Sequence, residues 1–234
     1  MRIKLDFRRN PQLAGYTDSV NAAIVAGLVA AGAKSEDVVG QGAKPWTFGA
    51  EGKIAKNRKS KIFSLTISTP DLDLGEALAR INPDDMRCTS TNGDILYFGG
   101  ASKKMIDTSP ACVDEMMIHF ASPFAIATQK THACNKKFVD QIGDVNFDAA
   151  LRAGLERRAG RSLDVSFHID PLSLRTDVTK RVIPLRKSGE RTIHIPAFKA
   201  PMTLRGTSKD VEFAFLAGIG AKTHAGFGCP IFMN

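Results

Sequence analysis

The chain has 234 residues, a net charge of +8, 43% hydrophobic residues and 24% charged residues, which is the composition of a globular protein with a hydrophobic core. No apolar run approaches the roughly 20 residues that span a bilayer, and the N-terminal MRIKLDFRRN lacks the apolar centre of a signal peptide, so we expect a cytosolic protein without membrane contact. The four cysteines lie far apart with no C-x-x-C pair, so we expect no disulfide framework, no structural zinc, and no metal or other cofactor.

The first half of the chain follows the order β-α-β-β-α-β. Residues 2–8 alternate apolar and charged side chains, which predicts a strand. Val20, Ile24 and Leu28 recur at the spacing of an amphipathic helix, which should end near Gly32. Two strands, a short helix and a last strand follow, in KPWTFGAEGKIA, KIFSLTIST, LGEALARI and GDILYFGG. This order is typical of a ferredoxin-like fold.

The second half repeats this order after a turn-rich segment, DTSPA at 107–111. We predict a strand bent at Pro123, a helix in VNFDAALRAGLERRAG and a strand in SLDVSFHID. A hairpin about the turn KSGE, a helix in TSKDVEFAFLAGIG and a final strand in GFGCPIFM complete the chain. The prediction is therefore an α+β protein with two tandem ferredoxin-like (RRM-like) domains, at 1–108 and 112–234.

A glycine-rich loop, GIGAKTHAGFGCP at 218–230, joins the last predicted helix to the last strand. It contains two glycine pairs, Gly218 with Gly220 and Gly226 with Gly228. Glycine permits positive φ, so backbone N–H groups can face a phosphate while Lys222 adds a charge. The glycines follow a helix, unlike those of a P-loop or Rossmann motif. A helix cap explains only one glycine of the first pair, so we interpret the segment as a functional loop.

The segment TLRGTSKDVEFAFLAGIGAKTHAGFGCP resembles the C-terminal motif of the CRISPR repeat-processing endoribonucleases, members of the repeat-associated mysterious protein superfamily. KPWTF at 44–48, RIKLDF and HFASPFAI are similar to other segments of that family, so the resemblance spans most of the chain. It implies tandem ferredoxin-like folds that bind precursor CRISPR RNA or mature guide RNA, and contact with effector-complex subunits. It also implies a single metal-independent cut, in which a ribose 2′-OH attacks the adjacent phosphate.

The resemblance places a catalytic lysine at Lys44. Many members of the family also carry a histidine before the KPWTF-like segment and a tyrosine in the first helix. Here Val38 or Val39 occupies the place of the histidine, and Ala22 or Ala23 that of the tyrosine. No histidine occurs in the first 118 residues, so the usual catalytic set is incomplete.

Three interpretations of the chemistry remain open. Lys44 stabilises charge while Tyr16 acts as acid or base, or His224 of the loop supplies the missing imidazole. In the third, the protein is a catalytically weak or inactive subunit that holds guide RNA. A different class of function is a small-molecule enzyme that binds a phosphorylated metabolite at the glycine loop.

The basic residues concentrate near the C-terminus, where residues 171–234 carry 10 Lys and Arg against 4 Asp and Glu. This asymmetry favours a nucleic acid as partner, although surface charge also serves solubility. The residues predicted to contact RNA are Gly218, Gly220, Lys222, Gly226, Gly228, Arg175, Arg181, Arg186, Arg191 and Arg205. On the helix of the second half, the arginines expected to point outward are Arg152, Arg157, Arg158 and Arg161. We expect Trp46 to pack against the first helix.

Overall fold

Each half of the chain forms an antiparallel sheet whose one face is covered by helices. The computed structural model describes residues 1–39, 44–54, 59–90, 93–106, 113–127, 138–142, 145–174 and 180–232. The first half contains β1 Arg2–Asp6, β2 Gln12–Ala14, α1 Thr17–Ala30, α2 Ser35–Val38, β3 Thr47–Ile54, β4 Ser60–Ser68, α3 Leu72–Arg80, β5 Arg87–Thr89, β6 Ile95–Tyr97 and β7 Ser102–Met105. The second contains β8 Glu115–Phe120, α4 Phe147–Ala159, β9 Val165–Ile169, α5 Pro171–Leu174, β10 Lys180–Ser188, β11 Arg191–Phe198, β12 Met202–Gly206, α6 Ser208–Ala217 and β13 Pro230–Phe232.

The first sheet has the order β7-β1-β4-β3, with every neighbouring pair antiparallel and β2 added beside β4. Its core combines Ile3 and Leu5 of β1 with Ile24 and Leu28 of α1, as the helical spacing predicts. Trp46, which is predicted to pack against the first helix, is buried in the cluster that contains Val20, Ile24 and Leu28 of that helix. The arrangement confirms the ferredoxin-like fold of the first half.

The fourth strand of this sheet lies later than the sequence predicts. The GDILYFGG segment contributes β6, which pairs with β5 in a separate ribbon. The fourth strand of the sheet is β7, which pairs with β1 and whose residues SKKM are all exposed. An edge strand of this kind is held by backbone pairing with β1 and has no apolar alternation, so periodicity does not reveal it.

The second sheet has the order β13-β8-β12-β9. In both sheets the fourth strand of the β-α-β-β-α-β unit pairs with the first, the first with the third, and the third with the second. Its core includes Leu151 and Leu155 of α4 and Phe215 of α6. The β10–β11 hairpin is inserted between the second and third strands as a separate ribbon. Within the described part of the predicted final strand, Pro230–Phe232 form β13, and the preceding glycines belong to the loop. The chain therefore contains tandem ferredoxin-like folds.

The open face of the first sheet packs against the end of the second half. Thr47 Oγ1 of β3 donates a hydrogen bond to the carbonyl oxygen of Phe227 over 3.2 Å. The buried guanidinium of Arg2 lies 4.5 Å from the ring centre of Phe215 and donates to the carbonyl oxygen of Pro230. These contacts fix the glycine loop between the two sheets. The predicted boundary at 108–112 lies outside the described residues and stays a prediction.

The hairpin completes the wall of a cleft between the halves. Leu185 of β10 and Ile195 of β11 form one apolar cluster with Ala225 and Phe227 of the glycine loop. β10 also packs against α1. None of the helices in the described ranges is long and apolar enough to cross a membrane.

A buried carboxylate fixes the start of α1 beside this cleft. Asp94 accepts hydrogen bonds from the backbone N–H groups of Gly15 and Tyr16, at 2.9 and 3.2 Å. It also accepts a bond of 3.0 Å from Nζ of Lys59. Since the Asp94 side chain is fully buried, its loss leaves donors without an acceptor.

Asp94→Ala should lower the free energy of unfolding by about 3 kcal/mol, because it strands buried donors and breaks a partly buried ion pair. Urea unfolding followed by circular dichroism measures the change. Asp85→Ala is the matched control, since Asp85 is exposed and its removal should matter by less than about 0.5 kcal/mol. Equal stabilities of the two variants would contradict the anchoring role.

Candidate nucleic-acid interface

The glycine loop runs along the domain interface and is largely buried. All of its glycines have positive φ, with Gly218 at 82°, Gly220 at 93°, Gly226 at 89° and Gly228 at 62°. An added Cβ would lie 2.6 Å from Thr47 Cβ at Gly218, 2.4 Å from Ala125 O at Gly220, 2.8 Å from Phe48 Cζ at Gly226 and 1.8 Å from Ile219 O at Gly228. The glycines are therefore required by backbone conformation and by close packing within the protein.

The prediction that these glycines present N–H groups to RNA is wrong for Gly218, Gly226 and Gly228. Their N–H groups donate to the carbonyl oxygens of Ala214, Thr223 and Pro123, respectively. A backbone group already bonded inside a packed interface is not available to a phosphate. Gly220 lines a cavity together with Lys222 and His224.

The middle of the loop turns outward from this buried base. Lys222 adopts a left-handed conformation with φ 60°, which is uncommon for a residue other than glycine and clusters at functional sites. A short 3₁₀ turn over Thr223–Ala225 follows, with Thr223 and Ala225 buried and His224 partly exposed. Lys222 and His224 thereby reach the cleft.

The first cavity, of about 360 Å³, collects basic side chains from separate parts of the chain. Lys44 precedes β3, Arg157 and Arg158 come from α4, and Lys222 and His224 come from the loop. Lys44 Nζ donates to the backbone carbonyl oxygen of Glu36. This cavity therefore joins the predicted catalytic residues Lys44 and His224 in one cationic site.

The second cavity, of about 710 Å³, adjoins the first and shares Phe138, Lys222 and His224 with it. Its other walls come from α1, from Val38 and Val39, and from the hairpin with Arg186. We call the two cavities together the cationic groove. Ala22, Val38 and Val39 line this second cavity, so its wall is apolar where the resembled family carries tyrosine and histidine.

His224 is a neutral imidazole in this cationic surrounding. Burial, followed by the charges of Lys222, Arg158 and Lys44, lowers the pKa of His224 to about 4. Because the folded-state pKa lies below the ordinary 6.5, His224 contributes stability that is lost as the pH falls from 6.5 towards 4. At neutral pH the ring can accept a proton.

The arginines of α4 do not all point outward, which corrects the prediction. Arg158 is partly buried and donates to the carbonyl oxygens of Gly220 and Gly218, at 2.8 and 2.7 Å. The sequence contains a signal for this orientation, because Arg158 follows Leu155 by three residues and Leu151 by seven, on the buried stripe of the helix. Only Arg157 is exposed at the groove.

Arg152 of α4 and Arg161, which lies just beyond the end of the helix, form ion pairs. Arg161 bonds Asp210 of α6 at 2.5 Å, and Arg152 pairs with Asp148 one turn earlier. Both side chains are therefore held by carboxylates of their own domain, where their charge is partly neutralised.

Of the other arginines predicted to contact RNA, some lie at the groove and some lie elsewhere. Arg181, Arg186 and Arg191 are exposed, and Arg186 lines the second cavity. Arg205 lies on the open face of the second sheet, where it forms a 3.1 Å ion pair with Glu115. Arg175 lies outside the described residues.

Tyr16 lies at a third, smaller cavity of about 190 Å³, together with Phe48, Pro184 and Gly226. Lys44 and His224 line the first cavity instead. The structure therefore brings Lys44 to His224 and separates Tyr16 from both. Among the described residues, no group of three or more His, Cys, Asp or Glu side chains is arranged to hold a metal ion.

Comparisons with known proteins agree with this architecture. The family model described as CRISPR associated protein Cas6, C-terminal, matches residues 107–230. A solved structure described as a RAMP protein binding different RNA substrates has a TM-score of 0.69 and 19% identity, and each chain is covered completely. A Cas6-related protein from Pyrococcus furiosus has a TM-score of 0.72 and 16% identity, covering 100% of this chain and 98% of that one. No curated protein matches the sequence.

Gly228→Ala should destabilise the protein by about 2–5 kcal/mol, because positive φ is unfavourable for alanine and the new Cβ would overlap the Ile219 carbonyl oxygen. Thermal and urea unfolding measure the loss. Gly160→Ala is the control, since Gly160 also has positive φ, at 67°, but no atom within 4 Å of an added Cβ. Its cost should be about 1 kcal/mol. A Gly228→Ala variant as stable as Gly160→Ala would contradict the packing account.

Proposed function

This chain belongs to the Cas6 family of CRISPR-associated proteins, and we propose that it is an endoribonuclease that binds the repeat of precursor CRISPR RNA and cuts it once without metal. The observation that carries the proposal is the convergence of Lys44, Lys222, His224 and Arg157 on one cavity between the halves of the chain. A related fold in a RAMP protein that binds different RNA substrates supports RNA as the partner.

The cationic groove suits a folded RNA strand. Arg186 at one end and Arg157 at the other extend its positive charge beyond Lys222 in the middle. Arginine and lysine bind the phosphate backbone and position the strand, and each contact releases counterions. Arg181 and Arg191 on the exposed hairpin extend the basic surface beyond the groove.

The reaction follows from the protonation states in the groove. Neutral His224 accepts the proton of the ribose 2′-OH, and the resulting oxyanion attacks the adjacent phosphorus. The Lys44 ammonium, oriented by the carbonyl of Glu36, stabilises the negative charge that develops on the phosphoryl oxygens. The bond to the 5′-oxygen then breaks and that oxygen takes a proton from water. The products are a 2′,3′-cyclic phosphate and a 5′-hydroxyl end.

A second candidate function is a guide-RNA-binding subunit of a CRISPR effector complex that cuts weakly or not at all. The apolar wall formed by Ala22, Val38 and Val39 favours it, because these side chains supply no acid or base to the second cavity. Both candidates use the same groove for RNA. They differ only in whether His224 and Lys44 suffice for the cut.

Incubation with the cognate repeat RNA in EDTA separates the candidates. A single cut with a 2′,3′-cyclic phosphate end supports the endoribonuclease, and a deoxyribose at the scissile position should block it because DNA lacks the attacking hydroxyl. Intact RNA held tightly supports the binding subunit.

The salt dependence of binding tests a third alternative, a site for a small molecule. RNA affinity should fall steeply with salt because several phosphate contacts release counterions, so binding that barely changes with salt would indicate a small-molecule site.

His224→Ala should lower kcat by at least about 100-fold, because a positioned general base contributes that much. Lys44→Ala should lower kcat by about 100-fold through lost charge stabilisation. Single-turnover cleavage measures both. His168→Ala is the matched control, since His168 is exposed on the open face of the second sheet and should leave the rate unchanged. A His224→Ala variant with wild-type rate would exclude His224 as the base.

The acid limb of kcat/KM against pH should lie near pH 4 and not near 6.5, because kcat/KM reports the free enzyme, in which burial and neighbouring cations lower the pKa of His224 to about 4. Cleavage assays from pH 3.5 to 8, with circular dichroism to confirm folding at each pH, test this. A limb near pH 6.5 that persists in the His224→Ala variant would assign the titration to another group.

A further inference from the structure

Arg158 is placed on the inward face of α4, at the base of the glycine loop. It continues the stripe of Leu151 and Leu155, both of which are buried in the core of the second half. A charged residue on such a stripe requires hydrogen-bond partners inside the protein, since burial of an unpaired charge is costly. The hydrogen-bond partners of Arg158 therefore indicate the role of its charge in the structure.

Both terminal nitrogens of Arg158 bond the first glycine pair. Nη1 donates to the carbonyl oxygen of Gly220 at 2.8 Å, and Nη2 donates to that of Gly218 at 2.7 Å. The planar guanidinium holds two acceptors in a fixed geometry, which the single ammonium of lysine does not reproduce. One side chain thus fixes the orientation of two peptide groups.

Backbone groups form further hydrogen bonds at the base of the loop. The N–H of Ile219 donates to Gly228 O at 2.9 Å, and that of Ala221 donates to Ala125 O at 2.7 Å. Arg158 adds a side-chain contact from another element to this ladder. The next residue along the chain is Lys222, in its left-handed conformation, followed by the turn that carries His224.

We propose that Arg158 is a positioning residue of the RNA-cleavage site, whose guanidinium clamps Gly218 and Gly220 and so sets the direction in which Lys222 and His224 face the cationic groove. The inference rests on the proposed function of that groove. Arg158 does not itself contact the reacting atoms in this role. It acts through the backbone that leads into the turn.

The charge of Arg158 also acts on the imidazole. Burial and the neighbouring Arg157 lower the pKa of Arg158 to about 10, so it remains protonated at neutral pH. The charged groups that line the cavities around His224 are Lys44 before β3, Lys222 in the loop, Arg157 and Arg158 on α4, Arg186 on the hairpin and Asp18 on α1. Removal of the Arg158 charge removes one cation from this set, which should raise the pKa of His224.

The test compares Arg158→Met and Arg158→Lys with the wild type. Titration of His224 by NMR in the free protein, with His224→Ala to assign the signal, needs neither RNA nor activity. We expect a higher pKa in Arg158→Met and a pKa near the wild-type value in Arg158→Lys, which keeps the charge. Single-turnover cleavage of repeat RNA should slow by about 10–100-fold in both variants, because neither retains the two-carbonyl clamp and misplacement of about 1 Å costs this much.

RNA affinity distinguishes positioning from general damage. We expect Kd to change by less than about threefold in Arg158→Lys, because no phosphate contact is removed. Arg80→Met is the matched control, since Arg80 is an exposed arginine of α3 paired with Glu76, and its cleavage rate should stay at the wild-type value. Urea unfolding verifies that each variant is folded under assay conditions.

Wild-type cleavage rates and an unchanged His224 titration in the folded Arg158→Met variant would overturn the inference. So would a loss of RNA affinity equal to the loss of rate in Arg158→Lys, because that result assigns Arg158 to binding. A wild-type protein that binds the repeat but never cuts it overturns the proposed endoribonuclease instead. In that event a higher His224 pKa in Arg158→Met still supports the inference that the Arg158 charge faces His224.

Discussion

The close approach of the glycine-loop backbone to β3 and Ala125 is the constraint on which the rest of the site depends. Where Gly218 meets Thr47 and Gly226 meets Phe48, there is no room for a Cβ atom. This contact joins the two ferredoxin-like folds through backbone and small side chains. It also fixes the base of the loop so firmly that the turn between the glycine pairs projects into the groove.

The electrostatics of the groove follow from that placement. A partly buried imidazole surrounded by cations stays neutral, since burial and like charges both disfavour its protonated form. The same cations attract a phosphodiester, whose negative charge opposes the downward shift once it is bound. In the proposed reaction, a bound phosphodiester would therefore raise the pKa of His224 and stabilise its protonated form.

Much of the architecture follows from local patterns, and the exceptions have specific physical reasons. The stripe of Val20, Ile24 and Leu28 identifies α1, and the repeated element order identifies the tandem folds. The edge strand β7 escaped prediction because its exposed residues carry no apolar alternation. The sequence prediction places Arg158 opposite the apolar stripe of α4, although its spacing from Leu155 already indicates the buried face.

The sequence by itself determined the fold class, the family and the two residues, Lys44 and His224, that meet at the groove, because periodicity and motif spacing are local properties of a chain. The tertiary structure alone decided that Gly218, Gly226 and Gly228 serve packing, that Tyr16 lies apart from Lys44, and that Arg158 bonds the loop. These facts depend on contacts between residues far apart in the chain, as between Phe48 and Gly226. The packing of the two halves creates such contacts, and no local pattern encodes them.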